Sequence, residues 1–426
     1  MPATFLEYVK SWGPGIVVVL TWLGAGDLVD TSVAGANYGY ALMWALALSL
    51  IIRFGVVSLI AKFQLLNREG VTVLAGYQRI HRWAPMVVAV AVVVMFHFYN
   101  SYMVKGAGNA LARIFGVGDA LIWAIIAVAA AWFLTYRALY GPVEKAMMAI
   151  LALLVVSLVG SAIMVGPDFG GIASGVFGFA VPPQTGPFGA MLIVVSLIGA
   201  VAGSVANFMY PYLMQEKGWT RPKHRKVQLY DLLFGIIVLI IIDLAIWILG
   251  AEVLRPRGIV VENVDDMAGI LAELFGTIGG IIFYLGVFGA TFSSILGYAL
   301  GGPMILKDAI RLTWPDRAKR YPDQNRDPWV QVAYYFIFVA ALVWAIPGMP
   351  GFVFLTVVVS ALTVPLLPLI SIGLLIILNR TDLMGDKKNN ILENTFLVLL
   401  TALAIWGGWQ AIGSLADTFG RLDINV

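Results

Sequence analysis

Long apolar runs separated by short charged segments set the pattern of this chain. Eleven runs are long enough to cross about 30 Å of hydrocarbon at 1.5 Å per residue. They lie near 13–36, 40–61, 86–115, 120–140, 144–166, 190–214, 230–253, 274–305, 329–347, 351–379 and 391–415. Within lipid, a helix satisfies its own backbone polar groups, so the pattern predicts an all-α polytopic membrane protein. Polar positions inside the runs are sparse, and two runs are interrupted in the same way. The first opens with Gly13-Pro14-Gly15 and then meets Gly24-Ala25-Gly26-Asp27-Leu28-Val29-Asp30, two glycines and two carboxylates. The stretch from Gly13 to Gly26 is too short to cross alone, which argues against both carboxylates lying in water beyond it. Each glycine weakens a helix by about 1 kcal/mol, and charge at membrane depth marks a functional position, so a helix broken near Gly24 to Asp27 is expected.

The sixth run repeats this. It opens with Gly186-Pro187-Phe188-Gly189 and carries Gly199, Gly203, Ser204 and Asn207 before Pro211, with a break expected at Ser204 to Asn207. Matched interruptions in the first members of two five-span halves are the mark of an inverted repeat, with the site where the broken helices meet. The chain thus divides into a first repeat over 13–166, a second over 190–379 and an added span at 391–415, all within one transmembrane domain, 1–426.

Composition removes other classes. The chain is 60% hydrophobic and 12% charged, which excludes a soluble protein. It has no cysteine, so disulfides, thiolate metal sites and cysteine nucleophiles are out. Its net charge of +3 sits in loops and gives no reason to expect nucleic acid. If the N-terminus is cytoplasmic, the inside segments hold 21 lysines and arginines and the outside segments only Arg255, Arg257 and Arg421. That bias predicts the N-terminus inside and the C-terminus outside, in a bacterial inner membrane. No phosphate-binding loop, catalytic triad or nucleotide motif is present, so neither enzyme activity nor a cofactor is expected.

Other polar residues lie inside the runs. Asp243, midway along the seventh, must face the bundle. It reads either as a proton carrier or ligand, or as a structural partner of Lys105 or of the first span's backbone. Arg53 and Arg113 read as snorkelling or structurally paired, and Lys105, beside Gly106 and Gly108, as a fixed positive charge in the place of a coupling cation. His97, near Tyr99 and Asn100, reads as a hydrogen-bonded core residue rather than a metal ligand. Gly297, Gly301 and Gly302 read as helix contacts, and Trp12, Trp22, Trp44 and Trp83 as interfacial anchors.

Gly13-Pro14-Gly15, Ala34-Gly35-Ala36-Asn37-Tyr38-Gly39-Tyr40 and Leu42-Met43-Trp44 resemble the first spans of the Nramp family of divalent metal transporters, and Phe292-Ser293-Ser294 sits in a similar context. The resemblance implies the LeuT-type fold, a 5+5 inverted repeat plus an eleventh helix with helices 1 and 6 broken. It also implies inward carriage of Mn²⁺ or Fe²⁺ with protons. The family's Asp-Pro-Gly-Asn falls on Gly24, Ala25, Gly26 and Asp27, so the carboxylate moves from the first position to the fourth. Its Met-Pro-His falls on Ala206, Asn207 and Phe208, and the thioether is lost. The acidic residues of its proton route fall on Asn100 and Met103.

On this resemblance Asp27 is the main ligand, with Asn207 and carbonyls near Gly24 and Ser204 completing an oxygen-rich site. Ser293 and Thr21 add neutral oxygens, and Asp30 or Asp243 is next in line. With Ala206 in place of sulfur, the site is expected to favour Mg²⁺ or Mn²⁺, or to discriminate poorly. The alternative is a symporter of a small organic solute such as an amino acid, driven by Na⁺ or H⁺, with Asp27 holding an amine or the coupling ion. A relic of the fold without transport fits less well with carboxylates kept in the membrane.

Overall fold

The computed structural model describes residue 4 and residues 24–136, 140–184, 186–202 and 205–421. Thr21, Gly203 and Ser204 lie outside these residues, as do Gly13-Pro14-Gly15, Trp12 and Trp22. No strand occurs among the described residues. Each of the eleven apolar runs carries a helix where it is described. The first five are Ala25–Tyr38, Met43–Leu66, Ala84–Phe115, Ala120–Tyr136 and Tyr140–Val165. The sixth starts as Ala190–Leu197 and the seventh is Arg225–Leu249. The eighth lies within Val264–Thr313, the ninth starts as Pro328–Phe338, the tenth as Phe352–Thr363, and the eleventh is Ile391–Arg421. Among the described residues, nine helices are long and apolar enough to cross a membrane. The fourth is shorter, and the first is described only from Gly24 onward.

The two interruptions are structured differently from one another. In the first span Gly24 is extended (φ −85°, ψ 169°) and the helix begins at Ala25. The departure from the helix is therefore narrower than expected, because Gly26 and Asp27 already belong to the first turn. There the Asp27 carboxylate sits beside unsatisfied N–H groups at the positive end of the helix, and its Oδ2 accepts from the Gly24 N–H at 3.3 Å. The sixth span widens to a π turn at Ile198–Ala202 and tightens to a 3₁₀ stretch at Val205–Met209. It resumes as an α-helix at Tyr210–Glu216, with Pro211 in its first turn. A π turn inside a helix often accompanies a functional site.

The segments after the fifth run and after the seventh carry helix of their own, Phe169–Gly178 and the start of Val264–Thr313. The latter bends at Gly276, whose φ of 61° suits glycine, and continues as the eighth span.

Small residues bring backbones together where the site is built. A Cβ on Gly35 would lie 2.5 Å from the Trp247 carbonyl, so the first and seventh spans touch backbone to backbone. A Cβ on Gly199 would lie 1.8 Å from the Ser360 carbonyl, which fixes the sixth span against the tenth. Gly301 and Gly302 pack against Met209 and Ile337, as the contact reading expected; Gly297 instead has open space before it and borders a cavity. Trp44 is no interfacial anchor. It is 8% exposed, and its indole N–H donates to the Ala180 carbonyl at 2.9 Å. His97 is the core residue expected, since its Nε2 accepts from the Trp344 indole at 3.1 Å and its ring stacks on Phe336.

Gly35→Val should lower stability by about 1–3 kcal/mol through overpacking against fixed backbone, seen as a drop in the thermal unfolding midpoint in detergent. Gly413→Ala, in open space on the last helix, should leave that midpoint unchanged or slightly higher.

Candidate functional site

The start of the first-span helix and the 3₁₀ stretch of the sixth face a common cavity. Gly24, Asp27, Asn207 and Met209 border it from these two spans, Arg53 from the second and Met103 from the third. The hydroxyl-bearing residues Tyr99, Tyr102, Tyr210, Ser294, Tyr298 and Ser360 also border it. It offers about 70 Å³ to the centres of water-sized molecules, several times the ~10–15 Å³ that one water requires. An ion carrying part of its hydration shell fits that space.

Charge is concentrated at one end. Asp27 is 3% exposed and Arg53 5%, with Arg53 Nη1 standing 3.8 Å from Asp27 Oδ1. That separation is an ion pair without a hydrogen bond, and Oδ1 accepts no hydrogen bond among the described residues. Asp243, fully buried on the seventh span, lies within electrostatic reach of both Asp27 and Arg53. Neither of its carboxylate oxygens has a hydrogen-bond partner among the described residues. Two carboxylates and one guanidinium thus share a water-poor interior, where each charge depends on the others.

The residues singled out from the sequence separate into groups. Gly24, Asp27, Ala206 and Asn207 border the cavity, with the Asn207 amide donating to the Ala202 carbonyl at 3.3 Å. Ser293 does not border it; its hydroxyl donates to the Ala290 carbonyl, and its neighbour Ser294 lines the cavity instead. Asp30, one helical turn beyond Asp27, is fully buried but outside the lining, and Asp243 stays behind the Arg53–Asp27 pair.

Asn100 donates to the Ile337 carbonyl at 2.9 Å and ties the third span to the ninth. Lys105 donates to the carbonyls of Trp344 and Met349, so it lies at the end of the ninth span and pairs with neither Asp243 nor the cavity. Arg113 pairs with Asp265, as one of its two readings held.

Two features escaped sequence reasoning. Arg53 was read as a snorkelling or structural cation, yet it borders the cavity as the partner of the main carboxylate. Sequence reasoning also places no sulfur at the site, whereas Met103 and Met209 both border the cavity, with the Met209 sulfur lying against Gly301. Met209 lies three residues beyond Ala206 and Met103 on a different span, so neither was visible from the single motif position inspected.

The family model described as natural resistance-associated macrophage protein-like, Nramp, matches residues 15–411. The divalent metal cation transporter MntH of Verminephrobacter eiseniae is 24% identical over 313 residues, covering 71% of this chain and 69% of that protein. MntH of Bacillus subtilis is 23% identical over 321 residues, covering 72% and 73%. Among solved structures, a manganese transporter of Eremococcus coleocola superposes with a TM-score of 0.72 at 14% identity, covering 99% of this chain and 95% of that one. MhsT in complex with L-phenylalanine superposes with a TM-score of 0.58 at 17% identity, covering 94% and 98%. At these identities the structural likeness is one of fold, the LeuT type.

Removing one member of the buried pair leaves the other uncompensated. Arg53→Gln alone should cost about 3–5 kcal/mol, and adding Asp27→Asn should restore part of that loss. Thermal unfolding of the two single variants and the double variant in one detergent measures the coupling; strictly additive effects would show that the pair does not interact.

Proposed function

The chain belongs to the Nramp family, and from that premise we propose that it is a secondary transporter whose cargo is a divalent metal cation bound in the cavity at Asp27. It is a transporter rather than an enzyme, and the metal is cargo rather than a cofactor. The observation that carries the reading is a carboxylate at the broken start of a membrane helix, 3% exposed, that borders a cavity of ion size and has one oxygen without a hydrogen bond among the described residues. The relatives' names supply the cargo class, since both MntH proteins are divalent metal cation transporters.

Ligand chemistry sets the selectivity in this reading. Asp27, the Asn207 amide and nearby hydroxyls are hard donors that suit Mg²⁺ or Mn²⁺, and a cation held by one carboxylate keeps part of its water. Met209 supplies a soft donor that favours later metals. Mn²⁺ and Mg²⁺ then compete at comparable concentrations. The excess of lysine and arginine on one set of loops orients the chain with its N-terminus in the cytoplasm of the host cell. With Asn100 and Met103 where the family's proton route has acids, any proton coupling falls to Asp30 or Asp243.

Arg53 favours a second reading. A guanidinium beside Asp27 offers a zwitterionic solute, such as an amino acid, a partner for its carboxylate while Asp27 takes the amine. Calorimetric titration of the purified protein with Mn²⁺, Mg²⁺, Cd²⁺ and an amino-acid panel separates the two, and heat from the amino acids alone would overturn the first.

In liposomes, Asp27→Ala should abolish divalent cation uptake while the protein elutes as a folded monodisperse species; unchanged uptake moves the site elsewhere. Ala206→Met should tighten Cd²⁺ binding by up to a few kcal/mol and leave or weaken Mg²⁺, whereas Met209→Leu should weaken Cd²⁺ selectively. If neither substitution moves the Cd²⁺ to Mg²⁺ ratio, the ion does not sit against this part of the sixth span.

A further inference from the structure

Beyond the cavity, a second group of oxygens lacks partners. Both carboxylate oxygens of Asp30, the Ser196 hydroxyl and the Ser360 hydroxyl are buried and hydrogen-bond to nothing among the described residues. The three residues are 0%, 0% and 1% exposed, and they come from the first, sixth and tenth spans. Both hydroxyls lie beside the Asp30 carboxylate, close enough to act on it, but short of the distance or angle of an ordinary hydrogen bond.

This is not how serines inside these helices otherwise behave. Ser32, Ser49, Thr291, Ser294 and Thr356 each donate back to the carbonyl one turn earlier, at 2.6–2.8 Å. Such back-bonding is the usual resort of a hydroxyl within a helix. Ser196 and Ser360 forgo it. Leaving a buried polar atom without a partner is costly, and four such atoms meeting from three spans amount to a place built for something else.

We propose that Asp30, Ser196 and Ser360 form a second site that holds a monovalent alkali cation such as Na⁺. A hard ion satisfies carboxylate and hydroxyl oxygens together, and oxygens gathered around an ion stand apart from one another, as these do. A single charge balances the one carboxylate. The Asp27 carboxylate has Arg53 as its counter-charge, whereas among the described residues no cation stands against Asp30 in the same way.

The second site is linked to the first cavity. A Cβ on Gly26 would lie 3.7 Å from both the Ser360 Oγ and the Tyr102 hydroxyl, and both of those residues border the cavity. Gly199 meanwhile holds the sixth span against the Ser360 backbone. An ion that draws Ser196 and Ser360 onto Asp30 therefore fixes the first, sixth and tenth spans around the cargo cavity. This couples the two occupancies without a shared ligand set beyond Ser360.

Binding of radiolabelled Na⁺ to the purified full-length protein, at fixed pH in choline buffer with no divalent cation present, tests the site directly. Saturable binding is expected in the wild type, about tenfold or more weaker in Asp30→Asn and several-fold weaker in Ser196→Ala. Because Ser196 does not border the cavity, Ser196→Ala should bind Mn²⁺ within about twofold of the wild type in choline buffer free of alkali cations, where the second site is empty in both, which also shows that it is folded. No saturable binding of Na⁺, Li⁺ or K⁺ to the wild type overturns the proposal. So does wild-type binding in both variants, or proton uptake at Asp30 that no alkali cation displaces. The readout needs no divalent cargo, so it stands or falls apart from the cargo assignment.

Discussion

A carboxylate cannot stay ionised in a membrane interior without compensation, and the arrangement around Asp27 follows from that constraint. Three sources of positive potential meet there. The helix starting at Ala25 presents its N-terminal N–H groups, one of which reaches the carboxylate from Gly24. Arg53 stands 3.8 Å away on the second span. The cavity supplies the remainder, because a cation or its water can take the oxygen that nothing else bonds. The ion pair, 3.8 Å apart, is close enough for each charge to compensate the other without a hydrogen bond between them. Breaking one partner out of such a buried pair is expensive, which ties the stability of the bundle to the chemistry of the site.

Holding that arrangement requires backbones closer than side chains usually allow. Gly35 meets the seventh span at Trp247, and Gly199 meets the tenth at Ser360. The first contact joins the spans that carry Asp27 and Asp243, and the second lies at the cavity, which both Gly199 and Ser360 border. The same close approach brings Asp30, Ser196 and Ser360 together. Spans that carry the site are thus packed through glycine, whereas the outward faces of the fourth, fifth and eleventh spans expose large apolar side chains such as Ile126, Val156, Ile163 and Trp409 to the surroundings.

Much of this was legible in the sequence, and the omissions share a cause. Hydropathy located all eleven runs, because each is a local property of about twenty residues. Asp27 stands out because its charge contradicts its neighbours, and Gly24 because it opens a pair of glycines with Gly26 inside an apolar run. Pairings between spans were not legible. Lys105 was a reasonable partner for Asp243 by depth alone, but it faces the ninth span, and Arg53 faces Asp27 instead. Ser293 and Ser294 differ by one residue, about 100° around a helix, and only the second borders the cavity. Met209, three residues beyond Ala206, borders the cavity without occupying the family's methionine position, so the motif alone does not point to it.

The central claim is that a divalent cation binds at Asp27, between the first and sixth spans. Crystals of the full-length protein soaked in Mn²⁺ and measured for anomalous scattering test it most directly. The account predicts one strong peak in the cavity, about 2.0–2.5 Å from an Asp27 carboxylate oxygen, with Arg53 drawn away from that oxygen. A peak at any other group of residues, or an empty cavity in protein that binds Mn²⁺ in solution, would contradict it.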